Sequence, residues 1–314
     1  MLSNLLSRPD AGPVACRAAR AEEIHDALRV ILSHDSRPAD DAQVTDFVSF
    51  ASTRRIDVRE AWVAEAGGRI VWAVLPILSP GRTVLLFTPP VIGREPAAGQ
   101  LIESACGHFA GRGVHLAQAL LDPPDQAARA MYLNHNFRQM AELMYLSAAV
   151  RRPPPPTPLP AEFDLVSYSP ETHPLFARAI AESYRDSLDC PDMNGLRDIE
   201  DVIAGHKASG EFDPEFWFVL LELGEPRGVL LLSRVPRTDA AEMVYIGLAP
   251  SARSRGHSDL LMRQALWAVG AMRLARLTLA VDSRNAPALK LYFRHGMQRT
   301  GSKIAFLRDL RRET

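Results

Sequence analysis

Apolar and polar positions alternate along this chain in two successions with the same order. Trp62 to Ala66 and Arg69 to Leu78 flank Gly67-Gly68, as two strands flank a hairpin turn. A third strand, Thr83 to Thr88, then runs into Pro89. Farther on, Phe216 to Glu222 and Gly228 to Ser233 flank Leu223 to Arg227, and Glu242 to Ala249 runs into Pro250. Each succession continues with an amphipathic helix, a short apolar strand (Val114 to Leu121; Leu277 to Val281), a second helix and a final strand pair. An early strand, Phe163 to Tyr168, and a helix, Leu175 to Ser187, precede the second hairpin. In the helix from His257 to about Met272, Leu261, Ala265, Ala268 and Met272 recur at helical spacing and form one buried face. The helix from Ala286 to His295 has Asn285 as its cap, Pro287 in its first turn and Gly296 at its end.

Between the two successions, Arg151-Arg152 leads into six prolines within residues 153–160. Prolines cannot donate the hydrogen bonds of a helix or a central strand, and such a run favours extended polyproline II. It reads as a semi-rigid linker, or as a ligand for a proline-binding module, and its central position favours the linker. The expected organisation is therefore a domain over 1–150, a linker over 151–160 and a domain over 161–314. At a constant offset of 160 residues, Asp122 falls on Asp282, Ala128 on Ala288, Tyr132 on Tyr292 and His135 on His295. Asn136 falls on Gly296, and these two residue types best tolerate the left-handed conformation that closes a helix. The pattern predicts a duplicated α/β domain, each copy a mixed sheet with helices on its faces.

Length and composition fit this organisation, since 314 residues are about twice a typical domain. With 47% hydrophobic residues and 36 Lys and Arg against 37 Asp and Glu, neither a disordered chain nor a globally basic nucleic-acid binder is expected. The longest apolar run, Phe216 to Leu221, falls far short of the roughly 18 to 20 residues that span a bilayer. Met1 to Asp10 lack the charged start, apolar stretch and cleavage site of a signal peptide, so a cytoplasmic location is expected. Cys16, Cys106 and Cys190 are odd in number and widely spaced, and the nine histidines show no metal-binding spacing. Neither a disulfide framework nor a metal is expected.

Chemistry concentrates in the turn Pro250-Ser251-Ala252-Arg253-Ser254-Arg255-Gly256-His257-Ser258, which joins a strand to a helix start. Orphan backbone N–H groups and the helix dipole favour an anion there, Arg253 and Arg255 add charge, and Gly256 permits close approach. A pyrophosphate would suit the loop, although an ordinary basic turn would look the same. Leu248, Pro250, Arg253, Gly256 and Ser258 resemble the acyl-CoA loop of the GNAT acyltransferase superfamily, whose pattern is Gln or Arg, any two residues, Gly, any residue, then Gly or Ala. Ser258 departs from that pattern at its last position while remaining small. Asn285, Ala288, Leu291-Tyr292 and Gly296 resemble the second cofactor motif of the same superfamily. The resemblance covers 161–310, and in 1–150 it rests mainly on the repeat.

The resemblance implies two tandem GNAT-like domains, each a mixed, mostly antiparallel central sheet flanked by helices, with acetyl-CoA as acyl donor in the second. The first copy is expected to be degenerate. After Pro89 come Pro90-Val91-Ile92-Gly93-Arg94-Glu95-Pro96, with prolines in place of donors and no Arg-to-Gly spacing, so its expected part is to complete the acceptor pocket. The implied donor-binding residues are Ile246, Leu248, Arg253, Ser254, Arg255, Gly256, His257, Ser258 and Asn285. Among them Ile246 would offer an unpaired N–H to the oxyanion, and Leu248 would pair with the pantetheine arm. Glu242 falls where histone-type members keep their general base, with water or another acid, such as one in the loop bearing Asp189 and Asp192, as the alternative base, and Tyr292 falls where the family keeps its general acid. Strand alternation would place Glu242, Val244, Ile246 and Leu248 on one face. A solvated strand-start glutamate and a packed helix tyrosine are the competing readings, the second because Tyr132 occupies the repeat position. Cys190 reads as a nucleophile or, without a histidine partner, as a buried or loop thiol.

Charge agrees with an anionic donor and a cationic acceptor. Residues 253–312 carry a net +10 and residues 161–252 a net −10, although an uneven fall of surface charge would give the same count. The expected partner is a small-molecule amine, with no nucleic acid and no membrane, and the chain is expected to be a monomer or homodimer. Two alternatives stand beside this: a non-catalytic acyl-CoA-binding or regulatory protein, and an acetyltransferase acting on protein lysines or N-termini.

Overall fold

The computed structural model describes residues 13–33, 37–91, 93–156, 158–193 and 195–312. The opening segment Met1 to Asp10, read above for a signal, lies outside the described residues. The chain divides into two compact units, Met1–Gln139 with Phe306–Thr314, and Met140–Ala305.

The first unit contains β1 (Ala15–Ala18), α1 (Ile24–Ile31), α2 (Asp41–Thr53), β2 (Trp62–Ala66), β3 (Arg69–Ser79), β4 (Thr83–Phe87), α3 (Glu95–Gly111), β5 (Leu116–Leu121) and α4 (Gln126–Asn134). Its strands follow the order β1-β2-β3-β4-β5. The β2–β3 hairpin turns at Gly67 and Gly68, both with positive φ, as the glycine pair predicts. Strands β4 and β5 run parallel for only three pairs, Thr83↔Leu116 to Leu85↔Gln118.

The second unit begins with most of β6 (Arg138–Ala149). It continues through β7 (Phe163–Ser167), α5 (His173–Tyr184), α6 (Ile199–Lys207), β8 (Glu211–Glu222), β9 (Glu225–Arg234), β10 (Ala240–Leu248), α7 (His257–Ala271), β11 (Arg276–Asp282), α8 (Ala286–Arg294) and β12 (Gln298–Asp309). Its strand order is β6-β11-β10-β9-β8-β7, antiparallel except for β10 with β11. The sheet is thus mixed and mostly antiparallel, with helices on its faces.

Unit boundaries differ from the expected 1–150, 151–160 and 161–314. Strand β6 precedes the prolines yet pairs with β11 over seven positions, from Arg276↔Ala149 to Asp282↔Leu143, so the second unit starts at Met140. The end of β12 belongs to the first unit, where the nearly buried Arg308 bridges Glu103 at 2.8 Å and donates to the His135 carbonyl at 3.0 Å. Leu310 N–H then reaches the His115 carbonyl at 2.8 Å.

Alternation along β9 separates two cores in the second unit. Leu230 and Leu232 face Leu261, Ala265 and Ala268 of α7, while Val229 and Leu231 face Phe176, Ala179 and Ile180 of α5 and Val202 and Ile203 of α6. Each buried leucine stabilises by about 2 kcal/mol relative to exposure, and both faces must be covered for the strands to read as continuous apolar runs. The β8–β9 turn is tighter than the loop expected over Leu223 to Arg227. Leu223 and Gly224 alone make it, both with positive φ, and Glu222 pairs with Glu225. The sequence pattern did not reveal α6, although Glu200 and Asp201 in its first turn and His206 and Lys207 in its last complement the helix dipole. Among the described residues, no helix is long and apolar enough to cross a membrane.

The repeat is visible in local geometry. Asp125 caps α4 by accepting from Ala128 N–H, and Asn285 caps α8 by accepting from Ala288 N–H. Asn136 and Gly296 both take positive φ after those helices.

Candidate active site

A β-bulge opens the second unit's sheet. Strands β10 and β11 pair in parallel only from Ala240↔Arg276 to Glu242↔Thr278, and then part. At the same point the β9 register slips: Met243 opposes Leu232 and Tyr245 opposes Leu231, which leaves Val244 as the extra residue. A bulge bends its strand, so β10 turns away from β11 and a cleft of about 320 Å³ forms between them. Ile246 and Leu248 line one wall, Leu279 and Val281 the other, and Asn285, Leu291 and Tyr292 of α8 lie along it. Ser183 at the end of α5 and the loop from Asp186 to Asp189 complete the lining. Gly247 lets α5 come this close, because a Cβ there would stand 2.6 Å from Ser183 Oγ.

The bulge also corrects the expected strand face. Ala241 and Met243 belong to the α7-side core, against which Ile246 and Leu248 also pack, while Val244 and Tyr245 join the α5-side core. Glu242 is therefore on the opposite face from Ile246 and Leu248, and it is not among the cleft-lining residues. Its charge instead acts on Tyr145 of β6, whose phenol is pushed up by burial and then by Glu242.

At one end of the cleft lies the loop expected to hold a pyrophosphate. Ser254 and Gly256 take positive φ, Gly256 caps α7, and Ser254 and Ser258 line the cleft. Among the described residues the amides from Ser254 to Ser258 have no backbone acceptor. A row of unmatched N–H groups at a helix start suits phosphate oxygens.

Three side chains assigned to the donor are engaged elsewhere. Arg253 donates to four carbonyls: Leu248 at 3.2 Å, Asp186 at 2.9 Å, Ser183 at 3.0 Å and Arg185 at 2.6 Å. It ties the end of α5 and the following loop to the end of β10. Arg255 pairs with Glu222 at 2.6 Å, and that pairing holds the Glu222 carboxyl below its usual range. His257 is buried, its ring 5.0 Å from that of Phe163. The groups of this loop left free to meet an anion are its backbone amides and serine hydroxyls. Arg253→Ala is expected to remove charged hydrogen bonds contributing about 2 kcal/mol. In a unit of this size that lowers the melting midpoint by about 4 to 8 °C, and a scan showing no change would contradict the anchoring role.

Asp189 and Tyr292 line the same cleft. Tyr292, 5% exposed, has its phenol pushed above the ordinary value by burial and then by the charge of Asp189, so it is neutral at physiological pH. The Asp189 side chain accepts from the Asp282 N–H at 3.1 Å, and burial, opposed by that bond, raises its carboxyl above the usual range. Asp282 is itself fully buried and bridges Arg284 at 2.7 Å, while Arg284 reaches the Met140 carbonyl at 2.9 Å. The loop bearing Asp189 is thus fixed at both ends, by Arg253 and by Asp282. Cys190 takes a positive φ, and burial first, then Asp189 and Asp282, push its thiol up to about 12. A thiol so protonated at neutral pH is no nucleophile. Ser183 and Tyr245, whose hydroxyls meet at 2.9 Å, also line the cleft and were not singled out from sequence. Among the described residues, no three His, Cys, Asp or Glu side chains are grouped to hold a metal ion.

Comparison with known proteins agrees with this architecture. Residues 179–297 match the Acetyltransferase (GNAT) family. The chain is 27% identical over 249 residues to a mycothiol acetyltransferase of Acidothermus cellulolyticus, covering 74% of this chain and 72% of that protein. Among solved structures, a GCN5-related N-acetyltransferase from Sphaerobacter thermophilus superposes with a TM-score of 0.62 at 15% identity, covering 95% of this chain and 96% of that one. A tandem GNAT protein from the clavulanic acid biosynthesis pathway gives 0.52 at 14% identity, covering 95% and 99%. Both span the two halves, and at these identities they show the fold alone.

Proposed function

We propose that the protein, whose residues 179–297 match the Acetyltransferase (GNAT) family, transfers the acetyl group of acetyl-CoA to the amine of a small molecule, by direct attack. The observation that carries this reading is a single cleft lined together by the loop with unmatched amides, by the edge of β10, and by Asp189 and Tyr292. The thioester supplies an activated acyl group. The loop from Ser254 to Ser258 binds its phosphates through N–H groups, with Asn285 shaping the cleft beside it. Beyond Glu242 the edge of β10 facing β11 has no ladder partner among the described residues, and there the Ile246 amide serves as donor to the thioester carbonyl oxygen and Leu248 pairs with the pantetheine amides.

Asp189 takes the role first assigned to Glu242. An amine is mostly protonated at neutral pH and must lose a proton before it attacks. Asp189 accepts that proton, the nitrogen bonds to the carbonyl carbon as the carbon–sulfur bond breaks, and Tyr292 gives its phenolic proton to the leaving sulfur. A carboxyl raised by burial is the stronger base, so that shift acts in the required direction, and Tyr292 holds its phenolic proton at physiological pH. The cleft volume fits a pantetheine arm with a small acceptor, which favours a small molecule over a protein tail.

The test is a panel of amines incubated with acetyl-CoA while free CoA thiol is followed. We expect one acetyl-CoA bound per chain and thiol release with at least one amine. Tyr292→Phe should lower turnover by about 10-fold or more and leave acetyl-CoA affinity unchanged. Binding without release from any amine would favour the non-catalytic reading, and two equivalent sites by calorimetry would overturn the assignment to one half.

A further inference from the structure

Successive residues at the end of α5 divide between two cavities. Ser183 lines the cleft, whereas Ala181, Tyr184 and Arg185 line a second cavity of about 300 Å³, closed by Arg197 and by Ile199 and Val202 of α6. Gly195 also lines it, and its polar side chains are the two guanidinium groups and the Tyr184 phenol. Neither Arg185 nor Arg197 has a side-chain hydrogen bond or ion pair among the described residues. Nearby Arg178, by contrast, bridges both Glu182 and Glu225.

The charge of Arg197 is directed at the cavity wall. His206 is held down to about 3 by burial and then by Arg197, and its Nε2 lies 3.3 Å from the Tyr184 hydroxyl. Burial pushes the Tyr184 phenol up to about 12, with Arg197 acting in the opposite sense. Phenol and imidazole are therefore both neutral at physiological pH. Glu182 is engaged with Arg178, and Asp198 is not part of the lining. Two guanidinium groups without a carboxylate partner stand beside apolar lining, and one ligand chemistry matches both. A carboxylate accepts from planar guanidinium forks, and an apolar body covers Ile199 and Val202. We infer that this cavity binds a small carboxylic acid with an apolar body, aromatic or aliphatic. Tyr184 of this cavity packs edge-on against Tyr245, a residue of the cleft, with centroids 5.2 Å apart.

The test titrates benzoate into the full-length protein by calorimetry and by NMR, with benzyl alcohol and inorganic phosphate as companions. Benzoate should bind saturably at one site per chain, more tightly than phosphate, and benzyl alcohol should not bind. Arg197→Gln should weaken benzoate by at least about tenfold, and Arg185→Gln should weaken it in the same direction. Arg197→Lys, which keeps the charge and loses the fork, should fall between Arg197→Gln and the parent. Unchanged melting of all three variants shows that the fold is intact. Benzoate that does not saturate, that binds equally in both Gln variants and the parent, or that binds more weakly than phosphate overturns the assignment. Because acetyl-CoA takes no part, this result is independent of the function proposed above.

Discussion

Gly256→Glu is expected to weaken acetyl-CoA binding by at least about 100-fold, because like charge brought against a desolvated phosphate costs several kcal/mol. Gly256 caps α7 with φ of +85°, beside amides that have no backbone acceptor. The new carboxylate would accept from those amides itself and repel a pyrophosphate arriving there. A Cβ at this position meets nothing within 4 Å, so the damage is not steric. Left-handed backbone costs an L-residue about 1 to 2 kcal/mol, which lowers stability in the free and bound protein alike. Gly256→Ala carries that strain without the charge and isolates it, and its affinity should fall only a few-fold. Ser258→Gly, which restores the superfamily's small residue, should keep or slightly tighten binding. Calorimetry showing equal affinity for Gly256→Glu and the parent would remove the loop from the donor site.

The second large effect separates two carboxylates. Asp189→Asn should lower the rate by about 10² to 10³-fold at neutral pH, while Glu242→Gln should change it by less than about threefold. Position decides this: Asp189 lines the cleft that Tyr292 also lines, and Glu242 lies beyond the bulge on the other face. The pH profile carries the sign. Because the folded carboxyl of Asp189 is raised, its basic form appears only as pH rises through that raised value, and the rate should climb there. In Asp189→Asn that limb should vanish, leaving a slow rise as free amine accumulates. Stability should move oppositely. A raised carboxyl favours the fold at low pH and loses that contribution as pH rises through the folded value, so at neutral pH the ionised Asp189 is a burden. Asparagine keeps an oxygen for the Asp282 N–H and should melt no lower than the parent at pH 7. A large loss of rate in Glu242→Gln with Asp189→Asn active would reverse the assignment.

Much of the frame was legible because it depends on neighbours in sequence. Hairpin glycines, the caps at Asp125 and Asn285, and the left-handed residues Asn136 and Gly296 act within a few positions, and the offset of 160 exposes the duplication. The bulge was not legible, since Met243, Val244, Tyr245 and Ile246 are all compatible with an unbroken strand and nothing local says which one is extra. One extra residue was enough to move Glu242 off the expected face. The fates of Arg253, Arg255 and His257 were equally hidden: their partners Ser183, Glu222 and Phe163 lie far away in sequence. A basic loop therefore suggested charge recognition where two of its cations are structural. Asp189 gave only the signal of an acid in an acidic stretch, and its place in the cleft depends on β11, which ends at Asp282.

The membership of Phe306–Thr314 in the first unit has a consequence for biosynthesis. Residues up to Gln139 leave the ribosome early, but Arg308 and Leu310, which bind Glu103 and the carbonyls of His135 and His115, emerge more than 150 residues later. The N-terminal unit must wait, with β5 awaiting those contacts, while the whole second unit is translated and folds. Its final closure is a long-range event of the slow kind, and it joins the maturation of the two units into one ordered sequence.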